Sequence, residues 1–322
     1  MTATPSLTVF GHYISQPSRA VLWALAMTRT PFQFVKMDPT KGECESAQFL
    51  QKFPAGVIPA LEVLHPAVPL HTTTVAVETV PPLRITESSA ILKYLALTRG
   101  WEDWYPPGDL EQQARIDSWL HWNNSNTRLA TTAVFRHLLR NMDLGMATTS
   151  TGGAVTASEE EVIRARRAKV ASTVSAGLVQ LLDPLKVLEG ELSARAATAR
   201  LSGLHAGRRQ VDKSSRGPLV TGEGSSPSRD LSLADIAIYC ELDQLERVGL
   251  LFPSADDLSG WQSALKPPPE SNHVSTPIAT TTDFPFLRQW MTAVSAAPEH
   301  DAVRASMFKL APVLKGVLLP GR

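Results

Sequence analysis

The chain has 322 residues, 43% of them hydrophobic and 19% charged, which is typical of a folded protein with two domains and excludes extensive disorder. Lys and Arg (31) balance Asp and Glu (31), and only two cysteines occur, so we exclude broad nucleic-acid binding, a disulfide-built secreted scaffold and a multi-cysteine zinc site. The N-terminus lacks a signal-peptide pattern and no apolar run reaches the ~18 residues of a membrane span, so we expect a cytoplasmic protein with no membrane partner.

The first 37 residues alternate between strand and helix patterns. Residues 7–10 are short, apolar and β-prone, and after a turn Pro17 occupies the place that proline favours in the first turn of a helix. Apolar residues then recur at helical spacing from Val21 to Leu25. Because residues 32–37 alternate as a second strand should, we predict a β-α-β unit at this end of the chain.

A proline interrupts the next strand pattern, which covers residues 57–63. Proline cannot donate to a strand ladder, so Pro59 predicts either an edge strand or a special bend, for which a cis Ile58–Pro59 bond is one solution. Residues 65–82 are rich in Thr, Val and Pro without a helical period, which indicates an inserted hairpin loop. Residues 86–89, Thr-Glu-Ser-Ser, then predict the start of a helix with small polar residues at its cap.

From about Trp104 onward the pattern is helical. Ser158 followed by Glu161 is a capping-box signature that predicts the start of a long helix, and Ser232 with Asp235 predicts another. The first helix of this half has apolar residues that fit one stripe: Leu110, Ile116, Trp119, Leu120 and Leu129.

Two segments of this half, near 195–229 and 253–283, are rich in Gly, Ser, Pro, Thr and charge, and we predict that both are inserted loops. A helix around residues 286–294 follows. An apolar tail at residues 307–319, again with helical spacing, completes the chain.

Three N-terminal segments, taken in order, resemble the thioredoxin-like domain of cytosolic glutathione transferases. They are residues 10–20 (Phe-Gly-His-Tyr-Ile-Ser-Gln-Pro-Ser-Arg-Ala), 57–61 (Val-Ile-Pro-Ala-Leu) and 83–91 (Leu-Arg-Ile-Thr-Glu-Ser-Ser-Ala-Ile). The Ser-Gln-Pro-Ser-Arg-Ala form is similar to the theta class, and Phe-Gly-His is also similar to the phi class. The second half resembles theta-class proteins at residues 104–106, 114–117, Trp122, Arg128 and 231–236.

The resemblance implies a fold and a function. The fold is a thioredoxin-like α/β domain over residues 1–98 and an all-helical domain over residues 105–322. The function is transfer of glutathione, as co-substrate, to a small hydrophobic electrophile in the detoxifying manner of this family, by a homodimer. The insertions at 65–82, 195–229 and 253–283 lie outside the resemblance.

The chemistry of such a site begins with the glutathione thiol, which must ionise before it attacks. Lowering a thiol pKa from ~8.5 by about two units takes about 2.7 kcal/mol of preference for the thiolate. One hydrogen bond to a charged group supplies ~1.5–3 kcal/mol and a helix N-terminus ~0.3–1 kcal/mol. We expect Ser15, just before the first helix, to donate that bond. On local sequence alone it is as readily a helix cap, and Tyr13 is our second choice.

The resemblance also implies the residues that bind glutathione. Ile58 and Pro59 would leave backbone groups free, with which the peptide could pair as an added strand. The alternative is an ordinary proline in an edge strand. Ser88 would hold the γ-glutamyl carboxylate at a helix start and Glu87 its ammonium, whereas a plain cap pair is the alternative. Arg128 resembles an arginine that reaches into the active site, while an isolated helical arginine more often forms a surface salt bridge.

The chain departs from the family at the end of the site that holds the glycyl carboxylate. Cys44 stands where relatives carry a histidine, and Val57, after a glycine, where they carry Lys or Gln. We therefore expect the site to bind the glycyl carboxylate more weakly. Lys41 or Lys52 would compensate for this loss. Cys44 is open to two further interpretations, a mixed disulfide with glutathione or inert packing.

Two other functions remain open from the sequence. One is a non-catalytic glutathione-transferase-like module for protein interaction, favoured by the altered glycyl end and the insertions. The other is a thioltransferase that uses a cysteine, although no cysteine stands at position 15. For the apolar tail we weigh a lid over the electrophile site against a helix that packs on the second domain or on a partner subunit.

Overall fold

The structure, a computed structural model, describes residues 6–65, 80–146, 156–205, 231–265, 278–280 and 282–319. The predicted hairpin insertion at 65–82 lies almost entirely outside the described residues. So do residues 206–230 and 266–277, which include most of the first predicted loop and less than half of the second.

Four strands of the N-terminal part form one mixed sheet in the order β2-β1-β3-β4. β1 pairs in parallel with β2 and antiparallel with β3, and β3 pairs antiparallel with β4. Helices α1 and α2 lie between strands along the chain and α3 follows the last strand; α1 and α3 pack against each other. The elements are β1 (Ser6–Gly11), α1 (Gln16–Met27), β2 (Gln33–Lys36), α2 (Ala47–Lys52), β3 (Ala60–Leu64), β4 (Leu83–Thr86) and α3 (Ser88–Arg99). This confirms the predicted thioredoxin-like arrangement.

The described C-terminal part is helical apart from one isolated bridge, between Leu251 and Ala279. The helices are α4 (Leu110–Ser125), α5 (Thr127–Arg140), α6 (Met142–Met146), α7 (Ala157–His205), α8 (Leu233–Val248), α9 (Ala255–Ala264), α10 (Pro285–Ser295) and α11 (His300–Leu318). The predicted fold class, a thioredoxin-like domain followed by a helical domain, is confirmed. The division of the chain at 98 and 105 stays a prediction, although the connection from α3 to α4 falls there.

Helix α8 is the centre of the molecule, because it is buried on nearly all sides and contacts α1, α3, α4, α5, α10 and α11. It begins with the predicted capping box, in which the Asp235 carboxylate accepts from the backbone N–H of Ser232 at 2.8 Å. The other Asp235 oxygen accepts from the Trp290 indole at 2.7 Å. One continuous apolar core therefore joins the sheet domain to the helical domain through α8.

Several sequence expectations in the helical half were wrong in their boundaries. The long helix α7 is capped by Thr156 with Glu159, not by Ser158 with Glu161, since Thr156 N–H donates to Glu159 at 2.9 Å. α7 continues to His205, so helix rather than loop occupies the first part of the 195–229 segment. Its sequence there, Arg-Ala-Ala-Thr-Ala-Arg-Leu, consists largely of strong helix formers.

The segment 253–283 likewise contains a helix where we predicted a loop. Ser254 accepts from the backbone N–H of Asp257 at 3.2 Å and so caps α9, whose first turn carries two aspartates that suit the helix dipole. The stripe predicted for the first helix of this half was also wrong at both ends. Leu110 and Leu129 are 77% and 65% exposed, because one lies at the start of α4 and the other on α5.

The apolar tail belongs to α11, which packs into the helical domain. Met307, Leu314 and Val317 have no exposed surface. The contact with α6 is close enough that a Cβ on Gly145 would overlap the carbonyl of Val313. These contacts support the interpretation that the tail packs on the helical domain.

A polar network is buried where α8, α11 and α1 meet. Tyr239 Oη lies 2.7 Å from His300 Nε2, and Arg304 pairs with Asp243 and also contacts the His300 ring. The Trp23 ring of α1 lies 5.4 Å from the His300 ring. Burial, with the neighbouring Arg304 guanidinium, lowers the pKa of His300 from 6.5 to about 4.

We expect this histidine to make stability depend on pH. The folded state keeps His300 neutral, so from about pH 6.5 down to about pH 4 the unfolded state binds a proton that the folded state does not. The free energy of unfolding should fall by about 3 kcal/mol over this window from His300 alone. Denaturant unfolding at pH 7 and pH 4.5 should show a smaller loss in His300→Gln than in the parent. The exposed His121→Gln serves as control, and equal losses in all three proteins would refute the assignment.

Candidate functional site

Four chain segments meet at one end of the sheet. Gly11 is aligned with Lys36, Phe10 with Ala60, and Ala60 with Thr86. The next residues beyond this row are therefore the segment after β2, the turn after β1, the Ile58–Pro59 bend before β3 and the start of α3 after β4. The three N-terminal segments that resemble the glutathione transferases therefore lie side by side at this end of the sheet, in the order of the strands.

Ser15 caps α1 at this edge. Its backbone is extended (φ −74°, ψ 119°) and its Oγ accepts from the N–H of Ser18 at 3.4 Å, with Pro17 in the first turn as predicted. A hydroxyl that accepts one hydrogen bond still has its own hydrogen to donate. The cap and the thiolate donor, which the sequence presented as alternatives, are therefore compatible in one residue, and the side chain is partly exposed.

Arg19 fixes the turn that carries Ser15. Its guanidinium is buried and donates to the carbonyls of Tyr13 and Ile14, each at 3.0 Å. Its other terminal nitrogen donates to the carbonyl of Cys240 on α8 at 3.0 Å. Arg19 therefore joins the Ser15 turn to the centre of the helical domain.

Tyr13 and His12 precede Ser15 in the turn. The Tyr13 ring packs on Phe34 of β2, with 5.2 Å between ring centres. His12 is buried and its Nδ1 accepts from the N–H of Ile14 at 3.1 Å. Burial, with nearby Lys36, lowers the pKa of His12. Tyr13 therefore packs on the sheet. This agrees with its rank after Ser15 as a candidate donor to the glutathione thiolate.

Ile58 and Pro59 form the bend that the sequence suggested, with a cis peptide bond between them. The strand pairings of β3 begin at Ala60, and within the described residues the backbone of Ile58 has no hydrogen bond to another backbone group. Its N–H and C=O are therefore able to pair with an extended peptide. Val57, next to it, is 41% exposed.

Glu87 and Ser88 stand at the start of α3 with an unusual backbone. Glu87 has φ +68°, a region that non-glycine residues rarely adopt and that costs on the order of 1–3 kcal/mol. Glu87 is the cap residue of α3, but its side chain makes no capping bond and is exposed. The first N–H groups of α3 are therefore without a side-chain cap, an arrangement that suits a bound carboxylate.

Cys44 is buried in a small apolar cluster with Phe10, Phe49 and Phe53. It is 7% exposed, and burial raises the pKa of its thiol. Its carbonyl would lie 3.2 Å from a Cβ on Gly56, which has φ +60° and must stay glycine for both reasons. These facts favour the packing interpretation of Cys44 over a ligand or a mixed disulfide.

The lysines named as substitutes for the glycyl-end ligands are engaged elsewhere or exposed. Lys52 pairs with Glu62 at 3.0 Å. Lys41 is 73% exposed and lies 3.9 Å from Asp38. The second cysteine, Cys240, is buried in α8, where burial raises its pKa to about 12. Both cysteines are thus unsuited to thioltransferase chemistry.

Arg128 on α5 does not form the ordinary surface salt bridge that its position alone would suggest. Its guanidinium donates to Glu241 of α8 at 2.6 Å, and Glu241 is buried. Thr131 donates to the other Glu241 oxygen at 2.9 Å. Glu241 directly follows Cys240, whose carbonyl accepts from Arg19. The Ser15 turn, through Arg19, and Arg128 are therefore attached to neighbouring residues of α8. The sequence carried no signal for Glu241, which lies 113 residues from its partner.

Two negative findings concern the described part of the chain. No group of three or more His, Cys, Asp or Glu side chains there is arranged to hold a metal ion. None of the helices described is long and apolar enough to cross a membrane.

Comparisons with known proteins agree with this arrangement. Residues 5–97 match the family described as glutathione S-transferase, N-terminal domain. Human glutathione S-transferase theta-2 is 32% identical over 117 residues, 36% of this chain and 41% of the relative. Arabidopsis thaliana glutathione S-transferase T2 is 32% identical over 124 residues, 38% of this chain and 18% of the relative. The matched part thus spans about two fifths of the human relative's length.

Solved structures extend the likeness to the whole fold. Apo human glutathione-S-transferase T1-1 superposes with a TM-score of 0.50 at 22% identity, over 98% of this chain and 97% of that one. A glutathione transferase homologue from Drosophila mojavensis, solved with bound glutathione, gives 0.53 at 15% identity over 98% of each chain. The chain as a whole therefore has the glutathione transferase fold. Residues 5–97 match the glutathione S-transferase N-terminal domain and are similar to theta-class relatives, as the sequence resemblance predicted.

Proposed function

We propose that this protein is a glutathione transferase that conjugates the glutathione thiolate to small electrophiles, with Ser15 as the donor to the thiolate. The observation that carries the proposal is the partly exposed Ser15 hydroxyl at the start of α1, beside the unpaired Ile58 backbone and the uncapped start of α3. A hydroxyl, a strand edge and a helix N-terminus are what a γ-glutamyl thiol peptide needs for its thiol, its backbone and its carboxylate.

The energetics of Ser15 are sufficient for this role. One hydrogen bond to a thiolate contributes ~1.5–3 kcal/mol and the start of α1 a further ~0.3–1 kcal/mol. Their sum covers the ~2.7 kcal/mol needed to lower the thiol pKa by about two units. Arg19 supports the proposal because it fixes the turn at both of its carbonyls, so the hydroxyl is held in place before the thiol arrives.

The remaining parts of the proposal concern partners. Glutathione is the co-substrate, and the second substrate is a small hydrophobic electrophile that binds on the helical side of the Ser15 turn. Arg128 is held by Glu241 and is 35% exposed, and it is the positively charged residue that we assign to the electrophile side of the site. We further propose a cytoplasmic homodimer with a detoxifying role, as the sequence resemblance implies.

Calorimetric titration with glutathione, and electrophile turnover by the same preparation, test the proposed function. We expect glutathione binding together with conjugation of an aryl or alkyl halide. Binding without turnover of any electrophile would favour the non-catalytic interaction module instead. Absence of binding would refute the glutathione site itself.

Ser88→Ala is expected to weaken glutathione binding by about 1–3 kcal/mol, because the γ-glutamyl carboxylate loses a hydrogen bond made by a charged group. Glu87→Gln should cost less, ~0.2–1 kcal/mol, since the Glu87 side chain is exposed and its ion pair is screened. Calorimetry of each variant measures both values. The neighbouring Ser89→Ala is the matched control, and unchanged affinity in Ser88→Ala would reject the placement.

A further inference from the structure

The direction of a bound peptide follows from the order of the four segments. A peptide whose γ-glutamyl carboxylate lies at the start of α3, beyond β4, runs along Ile58 and on toward β1 and β2. Neighbouring strands lie ~4.8 Å apart, so β4 and β2 are separated by about 14 Å. An extended tripeptide spans roughly 10 Å. Its C-terminal group therefore lies among Val57, the His12 turn and the segment that follows β2.

The charges of the segment after β2 are mainly negative. Residues 36–45 carry Asp38, Glu43 and Glu45 against Lys36 and Lys41. Glu43 is fixed there, because it accepts from the backbone N–H of Asp38 at 2.7 Å. Lys41, by contrast, is 73% exposed, so its position is weakly defined. A free carboxylate placed here would lie near the fixed Glu43 carboxylate, whereas the two lysines of this segment, Lys36 and Lys41, are both exposed.

The other residues at this end add no positive charge. Val57 is apolar, and Lys52 forms an ion pair with Glu62. His12 accepts a hydrogen bond at Nδ1 from Ile14 N–H, which requires the neutral ring with its hydrogen on Nε2. Burial and Lys36 keep that ring neutral by lowering its pKa. His12 is therefore an uncharged donor, suited to a carbonyl as well as to a carboxylate.

We propose that this end of the site accepts a γ-glutamyl thiol peptide whose C-terminal carboxyl is masked as an ester or amide at least as well as one with a free carboxylate. The inference rests on the proposed function and names its thiol substrate class. Its physical basis is that an uncharged end group avoids both the desolvation of a carboxylate without a fixed cation and repulsion by Asp38, Glu43 and Glu45.

The test compares two probes, glutathione and its glycyl monoethyl ester, by calorimetry on the full-length protein. We expect the ester to bind with equal or tighter affinity. Glutathione binding tenfold or more tighter than the ester would overturn the inference while leaving the proposed function intact. Failure of both probes to bind would overturn the glutathione site and the inference together.

A gain-of-function variant sharpens the test. Val57→Lys places a cation beside the peptide end on a residue that is 41% exposed, so a several-fold gain, about two- to fivefold, is expected for glutathione and none for the ester. Val57→Met, of similar length without charge, should leave the ratio of the two affinities as in the parent. An equal gain for both probes in Val57→Lys would show that the C-terminal group lies elsewhere and would overturn the inference.

Discussion

Replacing Ser15 with Ala is expected to lower the rate of glutathione conjugation at neutral pH by tenfold or more. The variant removes the Ser15 hydroxyl, which caps α1 by accepting from the N–H of Ser18 and which we propose donates its own hydrogen to the thiolate. A hydrogen bond to the thiolate contributes ~1.5–3 kcal/mol, and 1.4 kcal/mol corresponds to a factor of ten. Steady-state kcat/KM against an aryl halide measures the loss.

The pH dependence separates thiol activation from other causes of inactivity. If Ser15 acts on the thiol pKa, the rate of Ser15→Ala should recover in part as the pH rises toward ~8.5, where the free thiol ionises without help. Glutathione affinity should change little, since the peptide keeps its contacts at Ile58 and at the start of α3.

The matched control is Tyr13→Phe, which removes a hydroxyl two residues away while keeping the ring on Phe34. We expect it to retain most of the activity. A fully active Ser15→Ala together with an inactive Tyr13→Phe would transfer the role to Tyr13. Because Ser15 also caps α1, thermal unfolding of Ser15→Ala should be recorded alongside, with an expected cost of about 1 kcal/mol.

Deleting residues 307–322 is expected to abolish cooperative unfolding. The deletion removes Met307, Leu314 and Val317, which have no exposed surface, and uncovers the faces of α6 and α8 against which they pack. Each such side chain stabilises the fold by ~1.5–3 kcal/mol, and the sum is comparable to the ~5–15 kcal/mol of a whole domain. Calorimetric melting and near-UV dichroism measure the result.

The control for this prediction is deletion of residues 320–322 alone, which leaves α11 whole. That variant should melt like the parent. A 307–322 deletion that still unfolds cooperatively and binds glutathione, but turns over electrophiles differently, would instead restore the lid interpretation that the sequence left open.

Local motifs explain what the sequence could predict. The Ser15 turn, the Ile58–Pro59 bend and the start of α3 are each encoded by four or five adjacent residues, in which proline or small polar side chains restrict the backbone. The capping box at Ser232 was found for the same reason. These short signals carry the family resemblance from which we predicted the thioredoxin-like domain, and the structure brings the three segments to one end of its sheet.

Features that depend on distant partners could not be predicted in this way. Nothing near Arg128 indicates that it pairs with Glu241, and nothing near Cys44 indicates that it packs in one cluster with Phe10 of β1. The start of α7 was misplaced because both Thr156 with Glu159 and Ser158 with Glu161 satisfy the same spacing rule.

The central claim is that this protein lowers the pKa of a bound glutathione thiol through Ser15. The most direct measurement is the ultraviolet absorbance of the thiolate in the protein–glutathione complex as a function of pH. The account predicts a bound thiol that ionises about two pH units below ~8.5, and a return toward ~8.5 in Ser15→Ala. A bound thiol that titrates like free glutathione in the parent protein would contradict it.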